Sequence, residues 1–290
     1  MATTEPVGVL VLGASGMLGN AMLRLFSQSP GFRAIGSVRS SRARDLLPPA
    51  LRTAVLAGVD VEKPDSLARC LATARPGVVI NCIGVVKQVA EADDPLTAIP
   101  INALLPHRLA RLCDLAGARL VQISTDCVFT GKRGQYVEDD LADATDLYGR
   151  SKLLGEVDYP HAVTLRTSII GHELECARSL VGWFLAQESQ APGYTRAIFS
   201  GLPTVELARV VRDHVIPDPR LRGLYHVGAE PISKYDLLQL VAATYGKQTR
   251  IDPDPSLVID RSLDSSRFQR STRFKAAPWP ELVQRMHAFG

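Results

Sequence analysis

The stretch Val9-Leu10-Val11-Leu12-Gly13-Ala14-Ser15-Gly16-Met17-Leu18-Gly19 decides how this chain folds. Four apolar residues of strand length run into a G-x-x-G-x-x-G turn. Helical periodicity begins behind it, with Leu18, Met22, Leu25 and Phe26 on one side. So tight a turn from strand to helix needs residues without a Cβ. Gly13 adopts the turn, Gly16 lets the backbone come close to a pyrophosphate, and Gly19 lets the helix lie on the sheet. The free amides around Ser15, Gly16, Met17 and Leu18, with the helix dipole behind them, favour the phosphates. A glycine-rich turn with no ligand is the alternative. The position after a strand, before a helix and near the N-terminus favours the cofactor.

Outward from this unit, short apolar runs alternate with amphipathic ones. Strands are predicted at Ala34–Val38, Val55–Ala57, Val78–Cys82, Leu120–Ser124 and Val163–Arg166. Helices are predicted from Pro64, over Ile101–Ala116 with Gly117 as C-cap, and over Tyr148–Val157. Continuous apolar strands alternating with helices imply an α/β fold, a doubly wound parallel (Rossmann) sheet covered on both faces. Residues 1–170 read as this NAD(P)-binding domain. From 171 to 290 the helices Leu180–Gln187, Thr204–His214 and Ser233–Tyr245 are separated by Pro- and Gly-rich connections, with Leu224–Val227 as a further strand. This part reads as a smaller C-terminal substrate lobe, interleaved with the end of the sheet.

Composition narrows the function classes. At 290 residues and 46% hydrophobic, the chain buries a core without staples. A net charge of +3, with scattered basic residues, argues against nucleic acid or an acidic membrane surface as partner. The five cysteines include no C-x-x-C pair, and none of the six histidines is spaced H-x-x-x-H, so no metal site is expected. With no signal peptide and no apolar stretch of membrane-spanning length, a cytoplasmic protein is expected, with a homodimer open to it.

The residues after the second strand bear on the cofactor. Where an acid would bond the ribose 2′-OH stands Ser37-Val38-Arg39-Ser40, and no carboxylate follows until Asp45. Arg39, or Arg42, suits a 2′-phosphate, which favours NADP, with NAD as the alternative. Asp60-Val61 is placed to reach the adenine amino group, and a plain surface carboxylate is the competing reading.

Tyr148-Gly149-Arg150-Ser151-Lys152 puts a phenol and an ammonium one helical turn apart, with Cβ atoms about 6 Å from each other. A free phenol, with a pKa of about 10, is a poor acid or base at neutral pH. An ammonium close by is expected to lower it by about 1–3 units. Such a tyrosine exchanges a proton with a carbonyl oxygen while hydride moves to or from a nicotinamide, and the lysine also holds the nicotinamide ribose. Taken alone, the pair occurs often by chance. Its company is Ser124-Thr125-Asp126 at the end of the fifth strand, on the edge where doubly wound folds bind ligands. A hydroxyl there bonds a substrate oxygen, unless it serves only the local backbone.

With these elements in order, the chain resembles the extended short-chain dehydrogenases/reductases. The glycine turn, the strand-end Asn81-Cys82-Ile83-Gly84 and the Tyr148/Lys152 pair match the broad family. Ser124-Thr125-Asp126-Cys127-Val128-Phe129-Thr130-Gly131 is similar to the S-T-D-Y-V-F-D-G of dTDP-4-dehydrorhamnose reductases. Tyr148 to Glu156 is similar to their Y-G-x-[ST]-K-x-x-G-E, and Arg261-Ser262-Leu263-Asp264-Ser265 to their R-P-x-N-S. The resemblance implies Thr125, Tyr148 and Lys152 as the catalytic group, with NADPH reducing a 4-keto sugar on a nucleoside diphosphate. It brings Cys82 and Gly84 to the cofactor, and Gln88, Ser124, Asp126 and Arg261 to the substrate, with a buried structural arginine as the equal reading for Arg261. Cys127 replaces a family tyrosine, so the pocket beside the sugar differs.

Three rivals remain. A sugar-nucleotide 4,6-dehydratase would carry Thr-Asp-Glu, and Cys127 cannot replace that base. A 4-epimerase would show the same Ser/Thr, Tyr and Lys but keeps NAD bound, against which Arg39 argues. A non-catalytic, NADP-binding regulatory subunit is the third, since the beta subunit of methionine adenosyltransferase is similar to these reductases yet serves a partner enzyme.

Overall fold

Strand β1 (Val7–Leu12) is apolar on both faces because both faces are covered. Alternation sends Val9 and Val11 into one core with Met22, Phe26 and Ile80, and Leu10 and Leu12 into another with Leu67, Leu105 and Leu109. Burying each such side chain contributes about 1.5–3 kcal/mol. The computed structural model that shows this describes residues 5–85, 93–175 and 177–290.

The main sheet has seven strands, all parallel. With β2 (Phe32–Val38), β3 (Val55–Ala57), β4 (Val78–Asn81), β5 (Arg119–Thr125) and β6 (Ala162–Thr167), the order is Gly223–His226, β6, β5, β4, β1, β2, β3. The chain leaves β1 toward β2 and β3, then crosses back to β4. The carboxyl ends of β1 and β4 therefore flank the switch point where doubly wound sheets bind ligands. The edge strand Gly223–His226 comes from the C-terminal part, so the two parts of the chain interleave.

Helix α1 (Met17–Ser27) follows the glycine turn. Gly13 has φ +79°, and a Cβ on Gly19 would overlap the carbonyl of Gly13, so a side chain at either would push helix and strand apart. α1 packs on helix Thr204–Val210, which packs in turn on helix Trp279–Phe289. Arg24, in the last turn of α1, donates to the Phe289 carbonyl at 2.6 Å, with its guanidinium 4.2 Å above the Phe289 ring.

Two helices expected to be continuous α-helix are not. Ile99–Leu104 is π-helical before the α-helix Leu105–Leu115, and Val211–Val215 is π-helical after Thr204–Val210. In the first case Pro100 and Pro106 each lack a donor for the i→i−4 ladder, which helps the wider turn form. Helix Leu147–Leu154 is shorter than the expected Tyr148–Val157. Asp146 caps it by accepting the Gly149 N–H at 2.8 Å, and it ends at Gly155, where a Cβ would strike the carbonyl of Asn102. In the C-terminal part, Gln190–Tyr194 pairs with Arg250–Asp254, and Ala197–Phe199 pairs with Ile232–Ser233 and Ile259–Asp260. Among the described residues no helix is long and apolar enough to cross a membrane.

Candidate active site

A cavity of about 690 Å³ opens at the switch point. The glycine turn supplies Gly16, Met17 and Leu18, and the end of β4 supplies Asn81, Cys82 and Gly84. The end of β5 supplies Ser124 to Cys127, and helix Leu147–Leu154 supplies Tyr148 and Lys152. Gly16 caps α1 without a side chain to bond the first-turn amides, and no acid stands in that turn. Open amides at a helix start that lines a cavity fit a pyrophosphate. The donor set on this wall therefore suits a dinucleotide.

Lys152 is buried and donates from Nζ to the Ile123 carbonyl at 2.8 Å. Burial draws its pKa down to about 8, against the Glu156 carboxylate and the Cys82 thiol, which hold it up. Burial pushes the Tyr148 phenol well above the usual value, and the Cys127 thiol adds to the rise. The Thr125 hydroxyl, hydrogen-bonded to Tyr148, pulls the other way. This reverses the expected lowering of the phenol: desolvation is the leading effect, and the Lys152 ammonium, turned to the Ile123 carbonyl, is not among the groups that shift Tyr148. Tyr148 is thus a neutral phenol at pH 7.

Thr125 lines the cavity, accepts the Cys127 N–H at 3.1 Å and donates to Asp126 Oδ1 at 3.2 Å. Burial raises the Asp126 carboxyl, and Arg261 is the leading counterweight. Cys127 also lines the cavity, and burial pushes its thiol up to about 12, so it stays protonated there. Arg261 reaches the cavity while its Nε donates to the Phe129 carbonyl at 2.8 Å.

Other expectations fare differently. Ser124 lines the cavity, but its hydroxyl donates to Glu156 Oε1 at 2.7 Å rather than standing free for substrate. Glu156 is itself held by Arg166 through two bonds of 2.7 Å in a buried pair. Gly13, Ser15, Arg39, Asp60 and Val61 do not line the cavity. Arg39 is exposed at the end of β2 and makes no direct bond among the described residues. Arg42, the other 2′-phosphate candidate, is paired with Glu175 at 2.7 Å. The Asp60 carboxylate is taken up by Lys63 at 3.1 Å and by the Glu62 N–H at 3.1 Å, which lower its pKa. Gln88 lies outside the described residues. Among the described residues no His/Cys/Asp/Glu cluster suits a metal.

Sequence reasoning missed several groups. Asn102, in the π-helical turn, accepts the Val85 N–H at 2.9 Å and donates to Ser151 Oγ at 3.2 Å, tying the loop after β4 to the Tyr148/Lys152 helix. Arg178 and Lys234 line the cavity from the C-terminal part, and nothing local in the sequence marks them. Glu156 was within reach through the expected helix Tyr148–Val157, which put it one turn after Lys152, although the helix ends before it at Gly155.

A glycine turn and a Tyr/Lys helix facing one switch-point crevice define the extended short-chain dehydrogenase/reductase class. More narrowly, the chain belongs to the RmlD substrate binding domain family, whose family model matches residues 7–288. It is 30% identical over 256 residues to methionine adenosyltransferase 2 subunit beta of Danio rerio, covering 82% of this chain and 73% of that one. It is 32% identical over 148 residues to dTDP-4-dehydrorhamnose reductase of Streptomyces griseus, covering 51% of this chain and 43% of the other. Among solved structures, the dTDP-4-dehydrorhamnose reductase of Bacillus anthracis in complex with NADP shares the fold, with TM-score 0.80, 19% identity and 100% of each chain covered.

Proposed function

We propose that this protein reduces a 4-keto group on a nucleotide-activated deoxysugar, with NADPH as the electron source. One observation carries the reading: Thr125, Tyr148 and Lys152 line the same cavity as the amides of the glycine turn. A reduced nicotinamide, when bound, supplies hydride to the keto carbon. Tyr148 holds the proton that the keto oxygen must take, and its raised pKa keeps that proton in place at neutral pH. Thr125, bonded to the same phenol, orients it. Lys152 puts a mostly charged ammonium at the floor, suited to ribose hydroxyls. The absence of an acid at the end of β2, with Arg39 exposed there, favours the 2′-phosphate of NADP over NAD. The similarity to the Streptomyces griseus reductase supports the substrate class.

A second reading is a cofactor-binding regulatory subunit, favoured by the 30% identity to methionine adenosyltransferase 2 subunit beta over most of the chain. NADPH oxidation with a dTDP- or UDP-4-keto sugar separates the two. The reductase turns over, and Tyr148→Phe slows it about 10²–10⁴-fold with NADPH affinity kept. Turnover unchanged in that variant removes Tyr148 from the chemistry. NADPH binding with no turnover on any 4-keto sugar nucleotide selects the regulatory reading.

A further inference from the structure

Lys234 opens the helix Lys234–Tyr245 in the C-terminal part and lines the cavity together with Thr125, Asp126, Cys127 and Arg261. It is half-buried, and its ammonium makes no hydrogen bond or ion pair among the described residues. The charges that act on it do so at longer range: the Asp126 carboxylate attracts it, and the Arg261 guanidinium repels it. Arg261 spends its Nε on the Phe129 carbonyl. Asp126 already accepts from the Thr125 hydroxyl at 3.2 Å. Two cations thus face one carboxylate here, leaving one positive charge and several N–H donors without an acceptor in a partly dehydrated wall. Ammonium donors in such a place are costly unless a ligand brings oxygens and negative charge.

We propose that Lys234 is a specificity-determining substrate residue whose ammonium, beside Arg261, takes an oxyanion of the substrate. This rests on the sugar-nucleotide reading and sharpens it. The oxyanion is either the diphosphate or a carboxylate on the sugar, and the two sources differ in which ligands feel the loss of Lys234. Burial lowers the ammonium's pKa, and a bound oxyanion would offset that lowering.

The test is calorimetric binding to the protein with NADP present, using inorganic pyrophosphate, UDP, dTDP, UDP-glucose and UDP-glucuronate. The variants are Lys234→Met, which keeps the bulk, and Lys234→Arg, which keeps the charge. Lys234→Met is expected to weaken the oxyanion ligands about ten- to hundredfold, with NADPH affinity within twofold of wild type and Lys234→Arg restoring most of the loss. A loss already seen with UDP assigns the diphosphate, and one confined to UDP-glucuronate assigns a sugar carboxylate. If Lys234→Met binds the whole panel as tightly as wild type, the proposal fails while the sugar-nucleotide reading stands. If wild type takes pyrophosphate but no nucleotide, and Lys234→Met loses it, the subsite stands and that reading falls. Binding of no panel member overturns both.

Discussion

Replacing Glu156 by glutamine should cost about 3 kcal/mol of folding stability, although the substitution changes no volume. Glu156 and Arg166 bury their side chains to 11% and 5% exposure. The carboxylate takes Arg166 Nε and Nη2 at 2.7 Å each and the Ser124 hydroxyl at 2.7 Å. A glutamine amide keeps one acceptor but turns N–H donors toward the guanidinium and leaves its charge without a counter-ion. Breaking a buried pair from one side costs about 3–5 kcal/mol. The Phe129 ring 5.3 Å from Arg166, and His226 Nε2 at 3.3 Å, still stabilise the cation, which places the loss at the lower end of that range. The assay is urea unfolding of wild type, Glu156→Gln, and Glu156→Gln combined with Arg166→Met. The double variant, holding no orphaned charge, should recover at least half the loss. A single-variant loss below about 1 kcal/mol, or a double variant no more stable than the single, would refute the idea that a buried charge pair organises this floor.

Two pH effects follow from the same region. Burial and the adjacent Arg166 hold His226 down to about 4 from its usual 6.5, so the unfolded chain takes the proton first. Stability should then fall by about 1.4 kcal/mol per pH unit as pH drops from 6.5 to about 4, and unfolding of His226→Gln against pH should show that slope reduced. Lys152 loses its proton near pH 8 in the free protein, so kcat/KM should decline above about 8. Glu156 holds that value up, so Glu156→Gln should move the alkaline limb to lower pH; a limb that stays in place would show that Glu156 does not act on Lys152.

The elements that set the fold were legible because their signals are local. The glycine turn, α1 over Met17–Ser27, β3 over Val55–Ala57, and Gly117 in the left-handed conformation after helix Leu105–Leu115 all follow from periodicity and punctuation within a few residues. The π-helical segments were not legible, since the change from α- to π-helix depends on tertiary support such as the Asn102 contact with Val85. Cavity-lining residues on the strand ends were readable from their motifs. The direction of the Tyr148 shift was not, because spacing reports the neighbouring ammonium while desolvation depends on what the fold places over the phenol. Lys234 was invisible for a related reason: it reaches the cavity through a chain path more than one hundred residues from Asp126, and no spacing connects them.

The contact between Arg24 and Phe289 joins residues 265 positions apart. On a ribosome adding about 5–20 residues per second, α1 therefore waits on the order of ten to fifty seconds for its last covering helix. Before helix Thr204–Val210 is made, the Met22 and Phe26 face has only strands of the sheet to pack on, so newly made chains should be most exposed to chaperones and proteases until that helix emerges, with helix Trp279–Phe289 packing on it later.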